Sequence, residues 1–177
     1  MSQQYIHTMA QELVDRFGTR DPLAIAEGLG VHIRMVDTFV NLKGMYRVIL
    51  GERYIFLSSN LDARTQRIVC AHELGHDQLH RALATSSIIQ EFMLYDMNSR
   101  PEYEANLFAA ALLLDDEEIR ECAINGCDAL QTAMQLETDI NLVLIKISQM
   151  NERGHSFHTP ARANTTFLKH RGTEYDA

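Results

Sequence analysis

Residues 70–80 read CAHELGHDQLH and contain the pattern His-Glu-x-x-His at His72, Glu73 and His76. Positions four apart lie on one face of an α-helix, so the two imidazoles can converge on one metal ion. Zinc held in this way keeps a position open for water, and a neighbouring glutamate can take a proton from that water. The pattern therefore predicts a helix that carries two metal ligands, His72 and His76, and a catalytic acid–base, Glu73.

The chain before this helix predicts two helices and a small sheet. Residues 4–17 are amphipathic at helical spacing, and a second short helix follows an N-cap at Asp21. Three apolar stretches then read as strands of a small antiparallel sheet, and a tight Gly51-Glu52 turn joins the last two in a hairpin or meander. The three strands are expected within VHIRMVD, GMYRVIL and RYIFLSS. The N-cap of the motif helix is expected at Ser58, Ser59 or Asn60.

The chain after the motif helix predicts mainly helices. Residues 101–114, PEYEANLFAAALLL, open with a proline and read as a buried helix. Three further helices are expected before about residue 154. The predicted fold class is α+β, with a metallopeptidase core over residues 1–114, a helical C-terminal subdomain over 115–154 and a polar tail over 155–177.

Charge and composition limit the classes of function. The chain has 177 residues and a formal net charge of −8, so it lacks the basic surface typical of non-specific nucleic-acid binding. Its N-terminus lacks the apolar core of a secretion signal, and no run is long and apolar enough to span a membrane. Three cysteines without a close pair do not indicate a disulfide framework. We therefore expect a cytoplasmic protein without a membrane partner.

The third metal ligand has two candidates in the helix over residues 101–114. Glu102 and Asn106 are four apart and share a face, so a ligand and a supporting partner can point together. Glu104 lies about 200° from Glu102 around the helix. Ser99 and Glu102 also fit a capping box, in which case Glu104 would be the ligand, or neither glutamate would bind metal. We prefer Glu102.

Several residues near the motif have open roles. His80 lies about 12 Å beyond His72 along the helix axis, too far to join the same coordination shell easily, so a surface or rim position is expected. Asp77 points off the metal-binding face and is expected to be solvated or capping. Tyr95, Tyr103 and His80 are candidates for stabilising an oxyanion beside the metal.

The two segments RIVCAHELGHDQLH and EYEANLFAAALLL resemble the ImmA/IrrE family of bacterial and phage metallopeptidases. The resemblance implies a zincin-like fold, a Zn²⁺ cofactor held by His72, His76 and Glu102 in a gluzincin-like set, and Glu73 as the acid–base. It also implies that Asn106 stands where related zinc peptidases often have an aspartate supporting a ligand histidine. The implied partner is a transcriptional repressor of the helix-turn-helix class.

The leading functional hypothesis is a zinc-dependent endopeptidase that cleaves such a repressor. The strand over residues 53–58 is a candidate sheet edge for binding the peptide. A second hypothesis is a non-enzymatic anti-repressor that binds a repressor without cleaving it. A third is a DNA-binding regulator that uses a helix-turn-helix within residues 129–147, although the second of those helices is strongly apolar and carries only Lys146. Nucleic acid is therefore not expected as a partner.

Overall fold

The computed structural model describes residues 1–84 and 99–158, which form three strands and eight helices. The strands are β1 (His32–Val36), β2 (Gly44–Ile49) and β3 (Glu52–Ser58). The helices are α1 (Gln3–Phe17), α2 (Pro22–Gly28), α3 (Ala63–Leu79), α4 (Arg81–Ala84), α5 (Arg100–Leu113), α6 (Asp116–Ile124), α7 (Ala129–Gln135) and α8 (Ile140–Glu152). The predicted α+β class is confirmed.

Helix ends follow short polar signals in the sequence, with one correction. Gly18 ends α1 in the left-handed conformation, and the Asp21 side chain accepts a hydrogen bond from the Leu23 amide at the start of α2. The expected cap of α3 at residues 58–60 is wrong. Asp62 caps α3 instead, accepting from the amide and hydroxyl of Thr65, because β3 continues as far as Ser58.

The sheet is mixed, so the expectation that it is antiparallel throughout is wrong for the first strand. The strand order is β1-β3-β2, with β2 antiparallel and β1 parallel to β3. Residues 37–43 connect β1 at one edge of the sheet to β2 at the other edge. After the hairpin turn, β3 runs between β1 and β2. The hairpin turn is Leu50-Gly51, one residue earlier than predicted; both residues have positive φ, as a type I′ turn requires.

Helix α5 lies at the centre of the molecule. It packs against α3, α1 and α8, while the other side of α3 packs against the sheet and α2. At Gly75 of α3, an added Cβ would lie 3.1 Å from the Ala105 Cα, so the missing side chain permits a close approach of α3 and α5. These packing relations bring the motif helix and the acidic start of α5 together.

The C-terminal helices join the same hydrophobic core. Leu142, Ile145 and Met150 of α8 are buried in one cluster with residues of α1, α3 and α5. The division into a core and a C-terminal subdomain stays a prediction, and most of the predicted polar tail lies outside the described residues. Within residues 1–84 and 99–158, no helix is long and apolar enough to cross a membrane.

Candidate metal centre

Three metal-ligating side chains converge where α3 faces the first turn of α5. The Nε2 atoms of His72 and His76 lie 3.1 and 3.2 Å from the two carboxylate oxygens of Glu102, and 3.2 Å from each other. One ligand atom from each residue lies within 4.8 Å of the others, and all three residues are buried. Two imidazole nitrogens and a carboxylate oxygen form a donor set that suits a divalent cation such as zinc.

The surroundings of these groups also favour a cation. Although burial opposes it, the imidazole rings of His72 and His76 beside its carboxylate hold the pKa of Glu102 well below its usual value, so the carboxylate is ionised. Burial lowers the pKa of His76 to about 4, so its ring is neutral near pH 7. Burial opposes protonation of His72 as well, but Glu102 and the charge of Glu73 raise its pKa. A proton and a metal ion would compete for the same nitrogen there.

Asn106 holds the second nitrogen of His72. Its Oδ1 lies 3.0 Å from Nδ1 of His72, and both side chains are buried. With Nδ1–H donating to this amide oxygen, Nε2 of His72 keeps its lone pair on the side of Glu102. The amide thus makes the hydrogen bond expected of a ligand's supporting partner, without adding charge.

Glu104 faces away from the three converging atoms and binds other groups. It accepts hydrogen bonds from Nε2 of His80 at 3.0 Å, from Nε of Arg100 at 2.9 Å and from the amino group of Met1. Burial would raise the pKa of Glu104, but these three donors lower it to about 2. The capping-box alternative also fails, because the Ser99 side chain makes no cap hydrogen bond.

His80 is buried beside His76, so its expected surface or rim position is wrong. Its ring is 5% exposed, and its Nδ1 lies 3.2 Å from Nδ1 of His76. His80 is not one of the converging ligand residues, as its distance along the helix predicts, but it is the C-cap of α3, with φ −128° and ψ 18°, outside the regular helix. Its ring therefore turns back toward the preceding turn. Burial holds the pKa of His80 below its usual value.

Glu73 lies against strand β2. Glu73 is 8% exposed, and burial raises its pKa to about 7, while the nearby backbone of Tyr46 acts to lower it. A Cβ on Gly44 would lie 3.3 Å from Oε1 of Glu73, so this strand position leaves room for the carboxylate. A carboxylate with a pKa near neutrality can both accept and release a proton at physiological pH.

Asp77 is fully buried, so the expectation that it is solvated or capping is wrong. Its carboxylate accepts a hydrogen bond from the Tyr46 hydroxyl at 2.8 Å and pairs with Arg53 at 2.9 Å and Arg81 at 3.2 Å. Because the backbone of Tyr46 also lies close to Glu73, this one strand residue faces α3 at two points. No periodic pattern in the sequence signals these contacts, since Tyr46 occupies an ordinary position in a strand.

The other sequence-based candidates lie elsewhere. Tyr103 is 39% exposed, and its hydroxyl accepts a hydrogen bond from Gln3 rather than facing the metal-ligating atoms. Tyr95 lies outside the described residues. The strand over residues 53–58 is the central strand of the sheet, so its proposed role as an edge is wrong. Strand β2, beside Glu73, is an edge strand instead.

Comparison with known proteins agrees with this geometry. The sequence profile of the IrrE N-terminal-like domain matches residues 26–133. A protein of Bacillus phage phi105 named "Uncharacterized immunity region protein 2" is 32% identical over 111 residues, which cover 63% of this chain and 69% of the phage protein. "Metallopeptidase ImmA" of Bacillus subtilis (strain 168) is 28% identical over 133 residues, 74% of this chain and 68% of that protein.

Proposed function

Because the chain belongs to the ImmA/IrrE family of metallopeptidases, we propose that it is a zinc-dependent endopeptidase that cleaves a partner transcriptional repressor. The observation that carries the proposal is the buried group of His72, His76 and Glu102, whose ligand atoms lie within 4.8 Å of one another. In this proposal these three residues are the zinc ligands, in a gluzincin-like set, and Glu73 is the catalytic acid–base.

The chemistry follows from where these side chains lie. Zinc, when bound, would supply Lewis acidity and make water a stronger acid. Glu73 accepts a proton from the attacking water and passes it to the leaving amine. Its buried position, with a pKa of about 7, suits both transfers.

Strand β2 is the better candidate for binding the peptide. It pairs only with β3 among the described strands, and it passes Glu73 at Gly44 and Tyr46. A peptide added along an edge strand is held by backbone hydrogen bonds, and pockets for alternate side chains provide specificity. This placement would set the peptide bond next to the acid–base.

The proposed partner is a helix-turn-helix repressor, which the family resemblance implies, and the proposed location is the cytoplasm. Direct DNA binding by residues 129–147 has less support. Lys146 is 1% exposed and pairs with Asp116 at 2.7 Å, so it does not offer its charge to a phosphate. The protein partner therefore remains the preferred target.

The test is Glu73→Gln, which keeps the shape of the side chain and removes the base. We expect this variant to retain zinc but to give no cleaved fragment when it is co-expressed with the repressor encoded beside it. Glu12→Gln, an exposed change on α1, is the matched control and should cleave as the wild type does.

The outcomes separate the hypotheses. Equal fragment yield from the wild type and Glu73→Gln would remove the acid–base assignment. Loss of repression without a fragment, in both forms, would support the non-enzymatic anti-repressor. A wild-type protein that binds no zinc would contradict the metal site itself.

A further inference from the structure

A line of hydrogen bonds runs from Glu104 through His80 to His76. Oε2 of Glu104 lies 3.0 Å from Nε2 of His80, and Nδ1 of His80 lies 3.2 Å from Nδ1 of His76. All three residues are 5% exposed or less. The other nitrogen of His76, Nε2, faces Glu102 and His72. We call Glu104, His80 and His76 the Glu104 relay.

The donor and acceptor roles along the Glu104 relay are fixed from one end. An ionised carboxylate only accepts hydrogen bonds, so Nε2 of His80 must carry the proton it donates to Glu104. A neutral imidazole has one donor and one acceptor, so Nδ1 of His80 is then an acceptor. Its neighbour, Nδ1 of His76, must therefore be the donor.

We propose that His80 and Glu104 are positioning residues that fix His76 in its Nδ1–H tautomer, so that the lone pair of Nε2 faces the metal site. This inference rests on the proposed function, because it gives the relay a purpose only if metal binds there. It also explains why two glutamates two residues apart have different roles. Glu102 is itself a proposed metal ligand, whereas Glu104 acts through His80 to determine which nitrogen of His76 carries the proton.

Glu102 favours the opposite tautomer of His76, with the proton on Nε2. Its Oε1 lies 3.2 Å from Nε2 of His76 and would accept a proton placed on that nitrogen. Without the Glu104 relay, the Nε2–H tautomer would gain this hydrogen bond, and metal binding would first have to displace the proton. The relay thus prepares the ligand before the metal arrives.

The first experiment reads the tautomer in the metal-free protein, using ¹⁵N-labelled histidine and the nitrogen chemical shifts of His76. We expect a protonated Nδ1 and an unprotonated Nε2 in the wild type. His80→Leu, which removes the acceptor, should move the proton to Nε2. A wild-type His76 with its proton on Nε2, or an unchanged tautomer in His80→Leu, would overturn the proposal.

The second experiment measures zinc affinity by competition with a chromophoric chelator. Loss of a group that orients a metal ligand typically lowers affinity by about 10- to 100-fold, and we expect this for His80→Leu and Glu104→Leu. His80→Asn restores an acceptor near Nδ1 and should recover part of the affinity. Glu104→Gln keeps an oxygen that can accept from His80 and should lose less than Glu104→Leu.

Two control variants separate orientation from general damage. Arg100→Ala removes another partner of Glu104, through a side chain that is 74% exposed, and should leave both tautomer and affinity unchanged. Gln149→Leu removes a buried hydrogen bond to the Leu107 carbonyl of α5, so it tests loss of stability alone. If Gln149→Leu lowers zinc affinity as much as His80→Leu does, the relay has only a structural role.

The two proposals can fail separately. A wild-type protein without zinc affinity defeats the proposed function, while its nitrogen shifts still report the tautomer. A zinc-binding wild type whose affinity is the same in His80→Leu retains the metal site and defeats the role of the relay.

Discussion

Glu102 and Glu104 show how the position of a residue on a helix sets its chemistry. Both are buried carboxylates at the start of α5, yet Glu102 faces two histidine Nε2 atoms and Glu104 faces His80 and Arg100. The preference for Glu102 came from helical geometry, which puts the two on different sides. The burial of His80 could not be derived in that way, because the helix ends there and its ring follows a different backbone path.

At the residue scale, Gly44→Ala should disturb the site from the strand side. The new Cβ would lie 2.3 Å from Cγ1 of Val69 and 3.3 Å from Cγ of Glu73, so atoms must shift. Overpacking of this kind typically costs about 1–3 kcal/mol of unfolding free energy, and we expect proteolytic activity to fall as Glu73 moves. Denaturant unfolding and fragment yield measure the two effects.

Val69→Ala can be combined with Gly44→Ala, because it removes the atoms closest to the new Cβ. In the double variant, the loss of stability should be smaller than the sum of the two single losses, since the substitutions meet in space. A purely additive result would show that Gly44 and Val69 are not in contact in solution.

Helices were more predictable than the sheet. The spacing of apolar residues and the polar caps located α1, α2 and α5 closely, because a helix is stabilised by contacts between residues near in sequence. Strand pairing depends on distant residues, and the parallel pairing of β1 with β3 left no signal within either strand. The cap of α3 was misplaced for a related reason: where β3 stops decides which polar residue is left to begin the helix.

The packing between elements predicts an effect at Asp116, the first residue of α6. Its carboxylate pairs with Lys146 of α8 at 2.7 Å and with Arg153, the C-cap of α8, at 2.6 Å, and His7 of α1 lies 3.8 Å away. Asp116→Asn leaves the buried Lys146 ammonium without its anion. We expect a loss of about 2–3 kcal/mol in unfolding free energy, less than for a fully buried pair because Asp116 is 29% exposed.

The loss of unfolding free energy in Asp116→Asn should depend on pH, and the direction of that dependence follows from the pKa of Asp116. Burial would raise the pKa of Asp116, but the nearby His7 and the paired Arg153 and Lys146 hold it well below its usual value. The stability from the ionised form is thus present above the unfolded pKa of about 4 and lost as pH falls toward the folded value. The difference between wild type and Asp116→Asn should shrink below about pH 4. Exposed Glu117→Gln is the control and should show little difference.

At the scale of the whole molecule, the class of fold could be predicted from the sequence. So could the placement of His72, Glu73 and His76 on one helix and of Glu102 on another. The sequence did not reveal the central place of α5, which packs against α1, α3 and α8 at once. An apolar helix has no marked face to show which neighbours will cover it. The division at residues 114–115 stays a prediction, and the hydrophobic core includes residues on both sides of it.

This shared core predicts that the C-terminal helices unfold together with the metal centre. Leu142→Ala removes a fully buried side chain of α8 and should cost about 2–5 kcal/mol. Hydrogen exchange should report the same loss of protection in the amides of α3 and of α8. Ile124→Ala, at a side chain 76% exposed, is the control and should change protection little. Loss of protection confined to α8 would indicate an independent C-terminal subdomain.

The double contact of Tyr46 has a consequence for which insertions and deletions this protein can accept during evolution. Its backbone lies close to Glu73 and its hydroxyl binds Asp77, so it aligns β2 with α3 in a single register. A one-residue slip would turn the ring to the opposite face of the sheet and leave a buried carboxylate short of a donor. Changes in length are therefore expected to accumulate at the exposed Leu50-Gly51 tip, beyond the residue that sets the alignment, and to be purged between Lys43 and Tyr46.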